Sequence, residues 1–135
     1  MDGVPRSLPA LLRTSRQCSR AAADGFDWPD AESVLKKVEE EIAELREAMA
    51  GGDPDAIAHE YGDALMALAS VGRHLNAPAE DALRMANNRF ADRYRGMERI
   101  ARSRGERLSD LDGDALESLW EQSKAAPLSD TPDGA

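Results

Sequence analysis

Apolar residues recur at helical spacing along most of the chain. The clearest example lies in residues 30–49, where they follow the i, i+3/i+4, i+7 pattern of an amphipathic helix. These residues are Val34, Leu35, Val38, Ile42, Leu45 and Met49. No stretch alternates apolar and polar residues with the period of two that is typical of a half-buried strand. The pattern therefore predicts an all-α protein.

Helix-breaking residues divide the chain into about five predicted helices. The breakers are Gly25, the Gly51-Gly52 pair, the Asn76-Ala77-Pro78 turn, Gly105 and Gly113. The predicted helices cover roughly residues 7–23, 30–49, 53–75, 78–103 and 114–125. The third has the clearest beginning, because Asp53 is a good N-cap and Pro54 suits the first helical position. Asn76 favours the left-handed conformation that would end it.

The third predicted helix contains a segment without charge, the sequence ALMALASVG from Ala64 to Gly72. A helix that is apolar on all sides is a buried helix. The second and third helices would each be roughly 30 Å long at 1.5 Å per residue, which is too long for one chain of 135 residues to cover. We therefore expect a helical bundle completed by dimerisation, as a homodimer or a higher assembly.

Composition narrows the class of protein. The chain has 17 Lys and Arg against 26 Asp and Glu, a net charge of -9, which argues against nucleic-acid and membrane-surface partners. The single cysteine, Cys18, excludes an internal disulfide and a cysteine zinc site. With no signal peptide or membrane-spanning segment in the pattern, we expect a cytoplasmic protein. Residues 1–127 are predicted to form one domain, and residues 128–135 a disordered tail.

Four carboxylates on consecutive helices suggest a metal site. Glu41 and Glu44 have an i, i+3 relation on the second helix, and Glu60 and Asp63 have the same relation on the third. The short loop at residues 51–53 makes these helices neighbours and places both pairs at a similar height. Carboxylates brought together repel one another, and a hard divalent cation relieves that repulsion. A donor set made only of oxygens indicates Mg²⁺ or Mn²⁺.

Two other interpretations of the carboxylates remain open at this point. Acidic helix faces are often simply solvated. A dinuclear iron bundle would normally carry Glu-x-x-His on two helices. Three residues before His59 stands Ala56, and three before His74 stands Val71, so neither histidine completes that motif.

The acidic spacing resembles a known family signature. Glu40-Glu41-x-x-Glu44, followed by Glu60-x-x-Asp63, is similar to the E-E-x-x-E…E-x-x-D motif of the MazG family, all-α nucleoside triphosphate pyrophosphohydrolases. The resemblance extends over roughly residues 8–125. The further matching blocks are LPALLR near the start, GFDW at Gly25 to Trp28, EYGDAL at Glu60 to Leu65, ANNRFADRYR at Ala86 to Arg95 and LWEQSK at Leu119 to Lys124.

The resemblance implies a function and a ligand set. The metal, Mg²⁺ with Mn²⁺ as a substitute, would be held by Glu41, Glu44, Glu60 and Asp63, and Glu40 would be an outer-shell or base residue. The catalytic residues would then be Glu40 and Glu41. The reaction implied is the hydrolysis of a nucleoside triphosphate to the monophosphate and pyrophosphate, in nucleotide-pool housekeeping. The alternative function is a non-catalytic helical dimer that acts as a regulator or adaptor.

A basic segment and two tryptophans supply candidate substrate contacts. Eight arginines stand against three acidic residues between Arg84 and Arg107, which is typical either of a solvated helix with ion pairs or of a phosphate-binding surface. The resemblance places phosphate contacts at Arg89, Arg93 and Lys124, with a further substrate contact at Trp120. Asn87, close to the two arginines, is another candidate substrate contact. Trp28 lies in a Gly-Phe-Asp-Trp-Pro turn, where it could stack on a nucleobase or serve as a core anchor.

Overall fold

The computed structural model describes residues 1–125. Their helices are α1 (Ala10–Ala23), α2 (Ala31–Gly51), α3 (Pro54–Ser70), α4 (Gly72–Leu75), α5 (Ala79–Ser103) and α6 (Gly113–Lys124), with a 3₁₀ turn at Leu108–Asp110. The described residues contain no strand, so the prediction of an all-α fold is confirmed. The predicted tail at residues 128–135 lies outside the described residues.

Side-chain caps explain where α2 and α3 begin. The Asp30 carboxylate accepts a hydrogen bond from the Ser33 amide at the start of α2. At the start of α3, Asp53 accepts from the Asp55 amide and Pro54 follows it, as the sequence predicted. Each cap satisfies a backbone donor that the first helical turn leaves free. α2 ends at Gly51, and the next residue, Gly52, has a φ of 77° that suits a residue without a side chain.

The third predicted helix is shorter than the sequence suggested. α3 ends at Ser70, and a single separate turn, α4, follows from Gly72 to Leu75. The chain folds back so closely here that a Cβ on Gly72 would collide with the carbonyl oxygen of Ala77. The Ala77 amide donates to the Gly72 carbonyl at 2.9 Å, and Asn76 takes the predicted left-handed conformation with φ of 51°.

The chain divides into two compact units, Met1–Ala82 and Leu83–Ala135. In the first unit, α2 and α3 pack along each other, and α1 packs against α3. Val34 and Val38 of α2 form its buried centre with Val71. This hairpin of α2 and α3 is the element that carries the four predicted carboxylates.

The second unit has its own small core. Met97 and Ala101 of α5 are buried with Leu119 of α6. Gly96 allows close packing here, since a Cβ added to it would lie 3.2 Å from the Cβ of Ser123. Half-buried apolar residues surround this core: Ile100, Leu108, Leu111, Leu116 and Trp120.

The uncharged segment of α3 is only partly buried within one chain. Ala69, Ser70 and Val71 are buried as expected, but Leu65 and Leu68 remain 47% and 55% exposed. Within one chain, this segment is therefore not buried on all sides. An exposed apolar face of this kind is what the predicted second copy would cover, and dimerisation stays a prediction. No helix within residues 1–125 combines the length and apolar character that crossing a membrane requires.

Candidate functional site

Three of the predicted carboxylates meet on the α2–α3 hairpin. Glu41, Glu44 and Glu60 each offer an oxygen, and these oxygens all lie within 4.8 Å of one another. Their helices are antiparallel neighbours, so residues at equal distance from the connecting loop stand opposite each other. The structure thus brings together the side chains that the spacing alone placed at a similar height.

Burial makes this cluster unusual for an acidic helix face. Glu41 is only 6% exposed, because it stands beside Val38 at the edge of the apolar face of α2. The Oε2 atoms of Glu41 and Glu60 are both buried, and neither has a hydrogen-bond partner. A buried carboxylate oxygen without a partner costs free energy. An oxygen-only donor set with two such atoms fits a hard divalent cation.

The neighbouring carboxylates also repel one another. The pKa of Glu44 is raised above its ordinary value, first by repulsion from Glu41, then by partial desolvation and by repulsion from Glu60. One cation is close by, since Lys37 Nζ lies 2.7 Å from Glu41 Oε1. The hydrogen bond to Glu41 is in turn the main reason that the pKa of Lys37 is raised. One lysine against three carboxylates leaves the cluster negative.

Asp63 is adjacent to this cluster through Glu60. It forms a second close group with Glu60 and His59, in which the candidate ligand atoms also lie within 4.8 Å. His59 Nε2 is 3.2 Å from Asp63 Oδ2, and the imidazole is largely exposed. Glu60 therefore belongs to both groups and links the two ends of the predicted ligand set.

Lys37 and His59 were not predicted to take part in the site, although both contact predicted ligands. The missed signal is their spacing: Lys37 and Glu41 are i, i+4 on α2, and His59 and Asp63 are i, i+4 on α3. Residues at this spacing are neighbours on a helix surface. Glu40 points outward as predicted, with its carboxylate 66% exposed and 3.5 Å from Lys37 Nζ.

In the second unit, the structure pairs two of the predicted substrate contacts. The Arg93 guanidinium lies 5.7 Å from the centre of the Trp120 ring, a cation–π distance. Phe90 packs on the same indole with ring centres 5.4 Å apart. The Nε atom of Arg93 is buried and has no hydrogen-bond partner. Arg93 is thus held in place by aromatic contact while part of its donor capacity is unused.

The remaining predicted phosphate and substrate contacts of this unit lie on its surface. Arg89 and Asn87 are exposed on α5. Lys124 Nζ is 2.7 Å from Glu121 Oε1, one turn earlier on α6. Lys124 is therefore partly neutralised within its own helix, unlike Arg93.

Trp28 lines a pocket of about 310 Å³ in the first unit. Most of the wall is apolar, and α3 contributes Met66 and Ser70 to it. One polar corner is formed by Asp27, whose carboxylate pairs with Arg73 and lies 3.4 Å from His74 Nε2. The other lining residues are Met1, Gln17, Cys18, Ala21 and Phe26.

The family of the chain follows from comparison with known proteins. A family model of the MazG nucleotide pyrophosphohydrolase domain matches residues 30–95, the segment that holds all four predicted carboxylates. The chain belongs to the MazG family. The resemblance found in the acidic motif is thereby confirmed.

Two bacterial relatives extend the MazG match over most of the chain. A nucleoside triphosphate pyrophosphohydrolase from Escherichia coli K12 is 41% identical over 128 residues, which cover 92% of this chain and 48% of that protein. A nucleoside triphosphate pyrophosphohydrolase/pyrophosphatase MazG from Thermotoga maritima is 38% identical over 117 residues, or 87% of this chain and 45% of that protein. The chain thus spans about half the length of these MazG relatives.

Proposed function

We propose that this chain hydrolyses nucleoside triphosphates to the monophosphate and pyrophosphate, with a divalent cation held by Glu41, Glu44, Glu60 and Asp63. One observation carries the proposal: like-charged carboxylates converge within 4.8 Å, and buried oxygens of Glu41 and Glu60 have no hydrogen-bond partner. A divalent cation bound among these carboxylates would relieve their mutual repulsion and give the buried oxygens a partner. The matching MazG domain and the names of the relatives support the same reaction.

In the proposed reaction, a water oxygen bonds to the α-phosphorus, and the bond from that phosphorus to the α,β-bridging oxygen breaks. A bound divalent cation supplies Lewis acidity and lowers the pKa of water. Glu40, exposed beside the cluster, would accept the proton that the water loses. Glu41 is buried, and its Oε1 is held by Lys37 Nζ at 2.7 Å, so its carboxylate has little freedom to move.

The charge of the triphosphate also needs neutralisation. We propose Arg93, Arg89 and Lys124 as phosphate contacts, with Asn87 and Trp120 as further substrate contacts. Arg93 has the strongest support, because its guanidinium is held on the Trp120 ring and its Nε lacks a partner. A guanidinium presents a planar fork of donors that matches phosphate oxygens.

The Trp28 pocket is the proposed site of the nucleobase. Its apolar wall suits a flat ring, and stacking on an indole tolerates every base. Asp63 of the metal cluster and Ser70 of the pocket both lie on α3, about 10 Å apart along the helix axis at 1.5 Å per residue. The pocket and the cluster therefore lie on the same helix.

Self-association and the choice of metal complete the proposal. Oxygen donors favour Mg²⁺, with Mn²⁺ as a substitute. The exposed Leu65 and Leu68 support a homodimer or larger assembly, which light scattering at micromolar concentration would test. A monomer in that measurement would contradict it. Hydrolysis of nucleoside triphosphates is consistent with a role in nucleotide-pool housekeeping, which we include in the proposal.

Product analysis tests the reaction directly. The protein is incubated with a panel of nucleoside triphosphates and Mg²⁺, and the products are identified by ion-exchange chromatography. The expected products are pyrophosphate and the monophosphate. Orthophosphate and the diphosphate would show that a different bond is broken and would overturn the proposal.

A further inference from the structure

The loop between α1 and α2 is tied to a distant part of the chain by one acidic side chain. The Asp27 carboxylate pairs with the Arg73 guanidinium, and its Oδ1 lies 3.4 Å from His74 Nε2. All three side chains are at least partly buried: Asp27 is 30% exposed, Arg73 is 32% exposed and His74 is 13% exposed. The contact crosses from the loop to α4, so it fixes the loop against another element.

The backbone of this loop is fixed only at its two ends. At the first end, the Phe26 amide donates to the Ala21 carbonyl at 3.0 Å, and Gly25 takes a left-handed φ of 87°. At the second end, Asp30 caps α2. Trp28 lies between these two anchors, directly after Asp27. The ion pair of Asp27 therefore adds an attachment point between the two ends of the loop.

The same residues build the polar corner of the pocket. Asp27, Trp28, Arg73 and His74 all line it. We propose that Asp27 and Arg73 are positioning residues, whose ion pair holds Trp28 in the pocket wall and so sets how tightly the nucleoside part of the substrate binds. This inference rests on the proposed function, and it concerns a different property, the binding of the base rather than the hydrolysis of the phosphate.

The physical reason is preorganisation. A loop that is already held in its bound conformation does not lose conformational entropy when the ligand arrives. Without the ion pair, Trp28 would have to be ordered by the substrate itself, which weakens binding. The carboxylates of the metal cluster are other residues on α2 and α3, so the chemical step would be little affected once substrate is bound.

The kinetic test uses Asp27→Asn, Arg73→Gln and the double variant. Each single variant is expected to raise KM by about two- to fivefold, no more than the loss of the Trp28 ring itself would cost, with kcat changed by less than about 1.5-fold. The KM of the double variant should be no higher than that of the more impaired single variant, because each substitution breaks the same ion pair. Arg73→Lys should recover part of the loss, since it keeps the charge but not the planar fork.

A matched control lies three residues earlier. Asp24 pairs with Arg20 at 2.9 Å, within one helical turn and exposed to solvent. Asp24→Asn removes a carboxylate of the same kind from the same loop without freeing it from another element. KM is expected to stay at the wild-type value. An equal rise of KM in this control, or a loss of kcat with KM unchanged in Asp27→Asn, would overturn the inference.

A fluorescence measurement separates this inference from the proposed reaction. Trp28 and Trp120 are the two tryptophans, so a Trp120→Phe background leaves Trp28 as the sole indole reporter. Adding Asp27→Asn should increase acrylamide quenching of Trp28, whether or not the enzyme turns over. Unchanged quenching would overturn the inference. A wild-type protein that releases no pyrophosphate would overturn the proposed function instead, and the quenching result would still judge the loop.

Discussion

The acidic cluster of α2 and α3 and the basic surface of α5 and α6 differ in how their charges are satisfied. In the acidic cluster, Glu41, Glu44 and Glu60 bring like charges within 4.8 Å. Two of their buried oxygens have no hydrogen-bond partner, and the pKa of Glu44 is raised chiefly by repulsion from Glu41. Lys37 offsets only part of this charge.

Two cations of the basic surface are paired with acidic side chains of their own helices. Arg95 pairs with Asp92 at 3.3 Å, and Lys124 pairs with Glu121 at 2.7 Å, each one turn apart. These contacts are those of a solvated helix with ion pairs, one of the two interpretations that the sequence left open. Arg93 is different, since it rests on Trp120 and keeps a buried Nε without a partner.

The difference shows what charge patterning alone leaves undecided. Both regions have charges at i, i+3 or i+4 spacing, which predicts neighbours on one helix face. Burial and the number of hydrogen-bond and ion-pair partners distinguish a helix face whose charges are paired within the protein from one that needs a bound ion. By that criterion the carboxylate cluster and Arg93 have unmet partners, as does Arg13, whose Nε is also buried without a partner within residues 1–125. The carboxylate cluster and Arg93 can each be tested by substitution.

The largest effect is expected from breaking the acidic cluster. Glu41→Gln and Asp63→Asn should each lower the rate of hydrolysis by at least ~10²-fold, because each removes a charged metal ligand with little change of size. Far-UV circular dichroism should show an unchanged helical content. Glu39→Gln, an exposed glutamate on the same helix, serves as the control and should keep its rate. Near wild-type turnover in either cluster variant at saturating Mg²⁺ would show that the residue is not a ligand.

The metal itself should stabilise the fold. A cation that binds only the folded state raises stability by about 2.7 kcal/mol at a hundred times its Kd. Melting curves with and without Mg²⁺ or Mn²⁺ should therefore differ for the wild-type protein and for Glu39→Gln, and should coincide for Glu41→Gln. A regulator or adaptor whose carboxylates merely face solvent would show no shift in the wild-type protein, and that result would favour the alternative function.

The part of this cluster that the sequence predicted is the part that depends on local spacing. Periodicity and the caps at Asp30 and Asp53 define the α2–α3 hairpin, and the hairpin loop sets which carboxylates face each other. The break after Ser70 was not predictable in this way. It depends on the close approach of Gly72 to the Ala77 carbonyl, a contact that exists only once the chain has folded back.

Contacts between separate parts of the chain were equally hidden. Nothing in the spacing of Asp27 and Arg73 indicates that they form an ion pair, which joins the loop between α1 and α2 to α4. The sequence predicted that one chain would not cover the third helix, but not that Leu65 and Leu68 are the residues left exposed, because an uncharged segment has the same pattern whether its own chain or a second copy covers it. Identity of residues fixes what each can do, and the tertiary fold decides which of them meet.

The next smaller effect is expected from substitutions of Arg93. Arg93→Ala should lower kcat/KM by about tenfold, and by a similar factor for every nucleotide, because all triphosphates share the same tail. Arg93→Lys should recover part of the loss. Arg95→Ala is the matched control, since Arg95 is exposed and paired with Asp92 on the same helix. Metal-induced stabilisation should survive in all three variants. A change of base preference without a change of rate would contradict the phosphate assignment.

The smallest effect, and the most selective, is expected from Trp28→Ala. Stacking on an aromatic ring is worth about 1–3 kcal/mol per base and depends on the size and polarisability of the base. Because Trp28 is 38% exposed and only part of the pocket wall, we expect the lower end of that range. Its loss should therefore weaken purine nucleotides more than pyrimidine nucleotides, by several-fold in relative kcat/KM, and change their ranking. The stabilisation by Mg²⁺ should be unaffected, since no carboxylate is removed.

The measurement is kcat/KM for four nucleotides on this variant and on Arg93→Ala. If both variants lower all four values by the same factor, Trp28 does not contact the base, and the pocket that it lines has no part in choosing the substrate.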